Sequence, residues 1–181
     1  MDNQQERFFE IGWLAGVWES EGWFSIRKLN RSRYNKWKYR PEIGFGVTDF
    51  LMLSLVQSIL RKLQLPFYRT PDIKHSSKKK LGRISITGPK RCIKFLNVFL
   101  PYLQGEKKRR AEIVLRFSTR RLSSPRGIYT EQDDEDFLLL KVLNAPLKAQ
   151  KRILNEHTLN TKVVKMCSEL TRDSKSQVEI S

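Results

Sequence analysis

The opening stretch, residues 5–20 (QERFFEIGWLAGVWES), carries Phe8, Phe9, Ile11, Leu14, Ala15, Val17 and Trp18. Apolar residues spread so widely around one helix predict that most of its circumference is covered. Gly12 and Gly16 are four apart, so they leave two bare patches on one face, where a second helix can approach closely. Gly22 ends this helix, and period-two alternation begins at once. Phe24 and Ile26 point to one face of a strand, with Ser25 and Arg27 on the other. Asn30 to Lys36 reads as a long hairpin loop, and a return strand runs from Lys38 to Thr48. In it Ile43, Phe45 and Val47 face inward, while Lys38, Arg40, Glu42, Gly44 and Gly46 face outward. Pro41 places its outer half at an edge or a bulge.

Residues 49–64 form an amphipathic helix with Asp49 placed to cap it. A second strand pair follows over 67–74 and 83–87, joined by the basic tip His75-Ser76-Ser77-Lys78-Lys79-Lys80. Helices are predicted over 89–103 and 107–122, then a loop over 123–130. A helix from the acidic cluster Glu131, Asp133, Asp134, Glu135 and Asp136 is expected to run to about Asn155, its acids matching the N-terminal dipole. A short helix over 159–171 completes the pattern. The order predicts an α+β fold, αββαββα with one antiparallel four-stranded sheet, plus C-terminal helices. Residues 5–122 read as the core domain, 123–172 as a helical extension packed on it, and 173–181 as a disordered tail. The opening motif is not repeated, and no linker divides the chain.

Charge narrows the function. The 181 residues carry a formal net charge of +16, with 39% hydrophobic residues, enough for a core. The excess is uneven: residues 1–21 sum to −4, residues 22–128 to +21, and residues 129–181 to −1. A basic span of that length is the footprint of a polyanion binder, and nucleic acid is the partner it favours. No apolar run reaches the ~20 residues of a membrane span, and the acidic, polar start is not a secretory signal. Cys92 and Cys167 could form a single disulfide, but read rather as free thiols of a reducing, intracellular compartment.

Phosphate-cradling loops and zinc or Ser/His constellations are missing; His75 and His157 stand alone. One place combines acid with unusual context. Glu19 and Glu21 sit at the C-terminal end of the first helix, where a carboxylate opposes the helix dipole and needs a cation. Carboxylate and helix-terminal carbonyl oxygens together make hard donors of the kind Mg²⁺ takes, set against the ordinary reading of solvated glutamates.

Leu14-Ala15-Gly16-Val17-Trp18-Glu19-Ser20-Glu21-Gly22 resembles the nine-residue signature of the LAGLIDADG homing endonucleases, with Glu at both acidic positions. The apolar strand directly after Gly22 fits, and Phe45-Gly46-Val47-Thr48-Asp49 is similar to the family's F-x-V-T segment. Lys107-Lys108-Arg109-Arg110-Ala111-Glu112-Ile113-Val114-Leu115 resembles the lysine-bearing start of a later helix, and the resemblance spans about residues 7–122.

The resemblance implies a homodimer of the single-motif type, in which two opening helices pack through Gly12, Ala15 and Gly16. It implies that Glu21, with the backbone carbonyl of Ser20, binds Mg²⁺; Mn²⁺ would substitute, and Ca²⁺ would support binding without cleavage. Lys107 would stabilise the phosphate or orient water, with Lys108 the fallback. Asp49 is either a water-holding residue or a plain helix cap. Trp18 and Trp23 are expected in the core.

The four strands would form a curved sheet straddling the DNA major groove. Its readout surface would be Ser25, Arg27, Arg31, Arg33, Lys38, Arg40 and Glu42, with Arg69, Lys74 and Arg83. Lys78, Lys79 and Lys80 would touch phosphate. The implied activity is hydrolysis of both strands of a long pseudo-palindromic site, leaving short 3′ overhangs, in a prokaryotic cytoplasm or nucleoid or in an organelle. The alternatives are a non-cleaving relative, either a maturase of its own intron RNA or a DNA-binding regulator, and, outside the family, a ribosome-associated basic protein.

Overall fold

The computed structural model describes residues 3–31, 36–74, 80–125 and 127–156. Helix α1 (Asn3–Glu21) leads into strands β1 (Gly22–Arg31) and β2 (Lys36–Val47), then helix α2 (Phe50–Lys62). Strands β3 (Tyr68–Lys74) and β4 (Lys80–Thr87) precede α3 (Pro89–Phe99), a 3₁₀ turn at Leu100–Tyr102, α4 (Gly105–Ser123), α5 (Glu131–Leu143) and α6 (Leu147–Glu156). This is the α+β order that the alternation predicts. Arg33, Lys78, Lys79, Cys167 and the helix expected over 159–171 lie outside the described residues.

The strands form one antiparallel sheet in the order β1-β2-β4-β3, so the return strands of both hairpins pair at its centre. Helices cover one face only. Phe24, Ile43, Phe45, Ile84 and Ile86 project from that face into a core closed by Leu14, Trp18, Phe95, Phe99 and Phe117, all buried. Trp18 is the hub, its ring centroid 4.9 Å from Phe95, 5.5 Å from Phe45 and 6.3 Å from Phe99. Rings at this spacing add attraction beyond their buried area. Gly22 is fixed by the same tryptophan: a Cβ there would lie 2.4 Å from its ring, so only glycine turns the chain from α1 into β1 here.

The structure corrects four expectations. Ile11, Leu14, Ala15, Val17 and Trp18 turn inward, whereas Phe8, Phe9, Gly12 and Gly16 are exposed. One side of α1 is therefore uncovered in the single chain, and Ala15 belongs to the protomer's own core. Trp23 is not in the core. It shares the parity of Ser25 and Arg27 and lies on the face that no helix covers. Arg69 pairs with Ile84 rather than Arg83, and Lys74 with Lys80, which puts both at helix-side register positions. The helix expected from residue 131 to about 155 is two helices. Pro146 lacks an N–H and disfavours helical geometry in the residue before it. Its carbonyl instead accepts from Ala149 (2.8 Å) and Gln150 (3.1 Å) to start α6.

Helix α5 lies behind the sheet. Tyr39 and Lys28, a register pair on the helix-side face, both bond the carboxylate of Asp134, Lys28 at 3.4 Å. Asp133 and Asp136 are fully buried and are held by Arg120 of α4 at 2.8 and 2.6 Å, with Arg116 and Arg121 alongside. The acidic cluster thus docks the helix as well as matching its dipole. Asp133 also closes a capping box, accepting from the Thr130 N–H at 3.0 Å. No described helix is long and apolar enough to cross a membrane.

Candidate nuclease site and nucleic-acid interface

The chain brings the end of α1 against the start of α4. Glu21 is the last residue of α1 and is exposed, beside carbonyls that a helix C-terminus leaves without intrahelical partners. The Ser20 hydroxyl donates back to the Val17 carbonyl at 3.1 Å. Glu19 accepts from the Gln104 N–H at 2.5 Å, tying α1 to the segment that enters α4. One turn later the Lys107 ammonium donates to the Gly22 carbonyl. Burial lowers the pKa of Lys107, and neighbouring Arg110 lowers it further, against the opposing pull of Glu19 and Glu21. Glu21 and Lys107, 86 positions apart in sequence, therefore share one electrostatic neighbourhood.

Asp49 is engaged elsewhere. Its carboxylate accepts from the N–H groups of Leu51 (2.9 Å) and Met52 (3.2 Å), the geometry of a helix N-cap. Among the described residues no three acidic, histidine or cysteine side chains cluster to hold a metal. One chain offers a single carboxylate with helix-end carbonyls, a donor set that suits a hard cation but does not complete its shell.

The helix-free face of the sheet supplies a second surface. Ser25 pairs with Glu42, Arg27 with Arg40, and Gly46 with Arg83, so these side chains share it. Arg27 forms an ion pair with Glu42, one guanidinium N–H donating at 2.9 Å, and Ser85 donates to the same carboxylate at 3.3 Å. The Glu42 side chain is 3% exposed and Arg27 is 45% exposed, so the pair presents its cation outward. Lys38 is half-buried on this face and Arg31 ends β1; Lys80 is exposed and pairs with Lys74 at a helix-side register position. Arg40 and Arg83 each bury an Nε that has no hydrogen-bond partner.

Trp23 is the member that the sequence reading missed. Its indole lies across Gly44, where a Cβ would come within 1.9 Å of the ring, and reaches Gly46. The Arg83 guanidinium stands over it, 5.0 Å from the ring centre. Strand parity was the available signal, since Trp23 alternates with Ser25 and Arg27 and faces two glycines on β2.

No family model matches the chain, and no curated protein does. Solved structures do. The homing endonuclease I-CvuI, crystallised with the I-CreI target in the presence of Mg, aligns at 18% identity and a TM-score of 0.57, over 83% of this chain and 96% of that one. The LAGLIDADG meganuclease I-CpaMI, bound to uncleaved DNA, aligns at 20% identity and a TM-score of 0.57, over 80% of this chain and 50% of that one. The LAGLIDADG homing endonuclease I-GzeII, in complex with a DNA target, aligns at 16% identity and a TM-score of 0.57, over 82% and 49%. The chain has the LAGLIDADG homing-endonuclease fold. It spans nearly all of one such chain and half of the others.

Proposed function

We propose that the protein is a site-specific double-strand DNA endonuclease that works as a homodimer with divalent metal. The observation that carries the reading is the meeting of Glu21 and Lys107 at one end of the sheet, beside an uncovered basic face. A binding protein has no use for an exposed carboxylate next to a phosphate track; a metal-dependent nuclease does.

Two chains are needed because one supplies a single acid. The exposed side of α1, with Phe8 56% and Phe9 71% exposed beside two glycines, is the surface where a second α1 would pack in an isologous interface. The half-length match to I-CpaMI and I-GzeII supports this count. Glu21 and the Ser20 carbonyl of each protomer, with scissile phosphate oxygens, would hold the cation. Bound there, Mg²⁺ would supply charge neutralisation at the phosphate and a more acidic water. Glu21 positions that chemistry at the end of α1. Lys107, held on the Gly22 carbonyl, keeps an ammonium at the centre where pentavalent phosphate charge develops. Asp49 serves as the cap of α2. Ser25, Arg27, Lys38, Arg40 and Arg83 would lie toward the groove, with Lys80 on phosphate and Glu42 acting through Arg27.

The test is selection of cleaved sites from a randomised DNA pool with Mg²⁺, repeated with Ca²⁺ for binding alone. Recovery of a long, approximately two-fold symmetric site cut on both strands, with short 3′ overhangs, is expected. Affinity should fall steeply with salt. Binding without cleavage under every divalent cation would instead favour a regulator or an intron-RNA maturase.

A further inference from the structure

Resting on the reading of the open face as a DNA surface, we infer that Trp23 and Arg83 form a preassembled guanine-reading unit, with Arg83 touching the base and Trp23 positioning it. Three independent features support it. First, the indole crosses the central strand from β1 toward β4 over Gly44, whose missing side chain opens the niche, and it reaches contact with Gly46. Secondly, the guanidinium lies over the ring at 5.0 Å, a cation–π distance, which restricts its freedom. Thirdly, the Arg83 Nε is buried and has no hydrogen-bond partner, so contact with a base would fall to the two Nη groups.

A planar guanidinium fork, with two parallel N–H donors, matches the O6 and N7 acceptors of guanine in the major groove. Arg27 on the same face differs, since its Nε and one Nη are engaged by Glu42. Holding the fork before DNA arrives avoids much of the rotamer entropy lost when a free arginine is immobilised. Because Arg83 covers the ring, the indole is closed to stacking on a base and serves as the platform. Trp23 follows Gly22, whose carbonyl holds Lys107, so the base pair read here lies on the sheet beside the proposed catalytic centre.

The test is sequencing of DNA bound from a randomised pool with Ca²⁺, where catalysis plays no part. The wild-type pool should fix a guanine at one position of each half-site. Arg83→Lys keeps the charge but loses the fork. It should relax that position alone by about 10-fold or more, with the salt slope unchanged. Trp23→Ala and Gly44→Ala, which remove or displace the platform, should relax the same position, and Trp23→Phe should restore part of the preference. Melting scans confirm that each variant is folded. An Arg83→Lys pool identical to wild type overturns the inference and leaves the endonuclease reading standing. Loss of preference spread over every position also overturns it. A wild-type protein that enriches no DNA overturns both.

Discussion

The ammonium of Lys107 donates to the carbonyl of Gly22, two residues 85 positions apart that close the first strand's entry against the first turn of α4. That bond sets a cation beside the carboxylate end of α1, at the N-terminus of a helix that itself favours anions. This corner gathers an ammonium, a helix N-terminus and the Glu21 carboxylate, the groups on which the proposed cleavage rests. The depressed basicity of Lys107, caused first by its burial, would ease proton transfer at Nζ in the proposed reaction.

Glu21→Gln is expected to abolish metal-dependent cleavage, by 100-fold or more on the order of other losses of a catalytic donor. DNA affinity should hold or improve, because a negative charge near phosphate is removed. Single-turnover cleavage beside a binding isotherm checks both, and undiminished cleavage would defeat the metal-ligand assignment.

Gly16→Leu should convert dimer to monomer without unfolding the chain. A Cβ built at Gly16 meets nothing within 4 Å in the protomer, so the added bulk collides only with a partner. Leucine also suits a helix interior better than glycine, by up to about 1 kcal/mol. Sedimentation velocity should show the smaller species while the melting temperature stays level or rises. A dimer that persists would count against packing through this face.

Arg120→Ala is predicted to cost roughly 3 kcal/mol, the lower end for breaking a buried ion pair. Asp133 and Asp136 would remain fully buried with only Arg121 and Arg116 left to them. Urea unfolding measures the loss; a change below about 1 kcal/mol would mean that the aspartates relax to water.

Burial, followed by the charge of Glu42, pushes the Cys92 thiol from 9.0 up to about 12. The folded protein keeps its proton where the unfolded chain releases it. The group's contribution to stability is therefore whole below pH 9.0 and is lost as pH climbs toward about 12. Near pH ~8.5, the ordinary thiol pKa, iodoacetamide should spare Cys92 in the native protein and modify it in denaturant. Peptide mapping reads the difference, and rapid native alkylation would contradict the buried placement.

Most elements were legible because their patterns are local. Period-two alternation exposed β1 and β2, the Asp49 cap announced α2, and Pro89 opened α3. Pro146 is an equally local signal for the break between α5 and α6, and the single helix expected there left it unused. Ala15 and Trp23 were misassigned for a different reason. A helix apolar on several sides does not declare which side meets its own core, and tryptophan is bulky enough to be read as core wherever it falls. Arg69 went astray because the face of an edge strand depends on which residue it pairs with, here Ile84, and that pairing is not local.

The sequence by itself determined the order of helices and strands, the basic character of residues 22–128 and the acidic end of the first helix. Each depends on neighbours a few positions apart or on charge that simply adds. Only the tertiary structure decided that Lys107 reaches Gly22, that Glu42 is masked by Arg27, and that an indole lies under Arg83. Those pairings join residues from different strands and helices, and they exist because packing of one core around Trp18 fixes where every strand and helix end must lie.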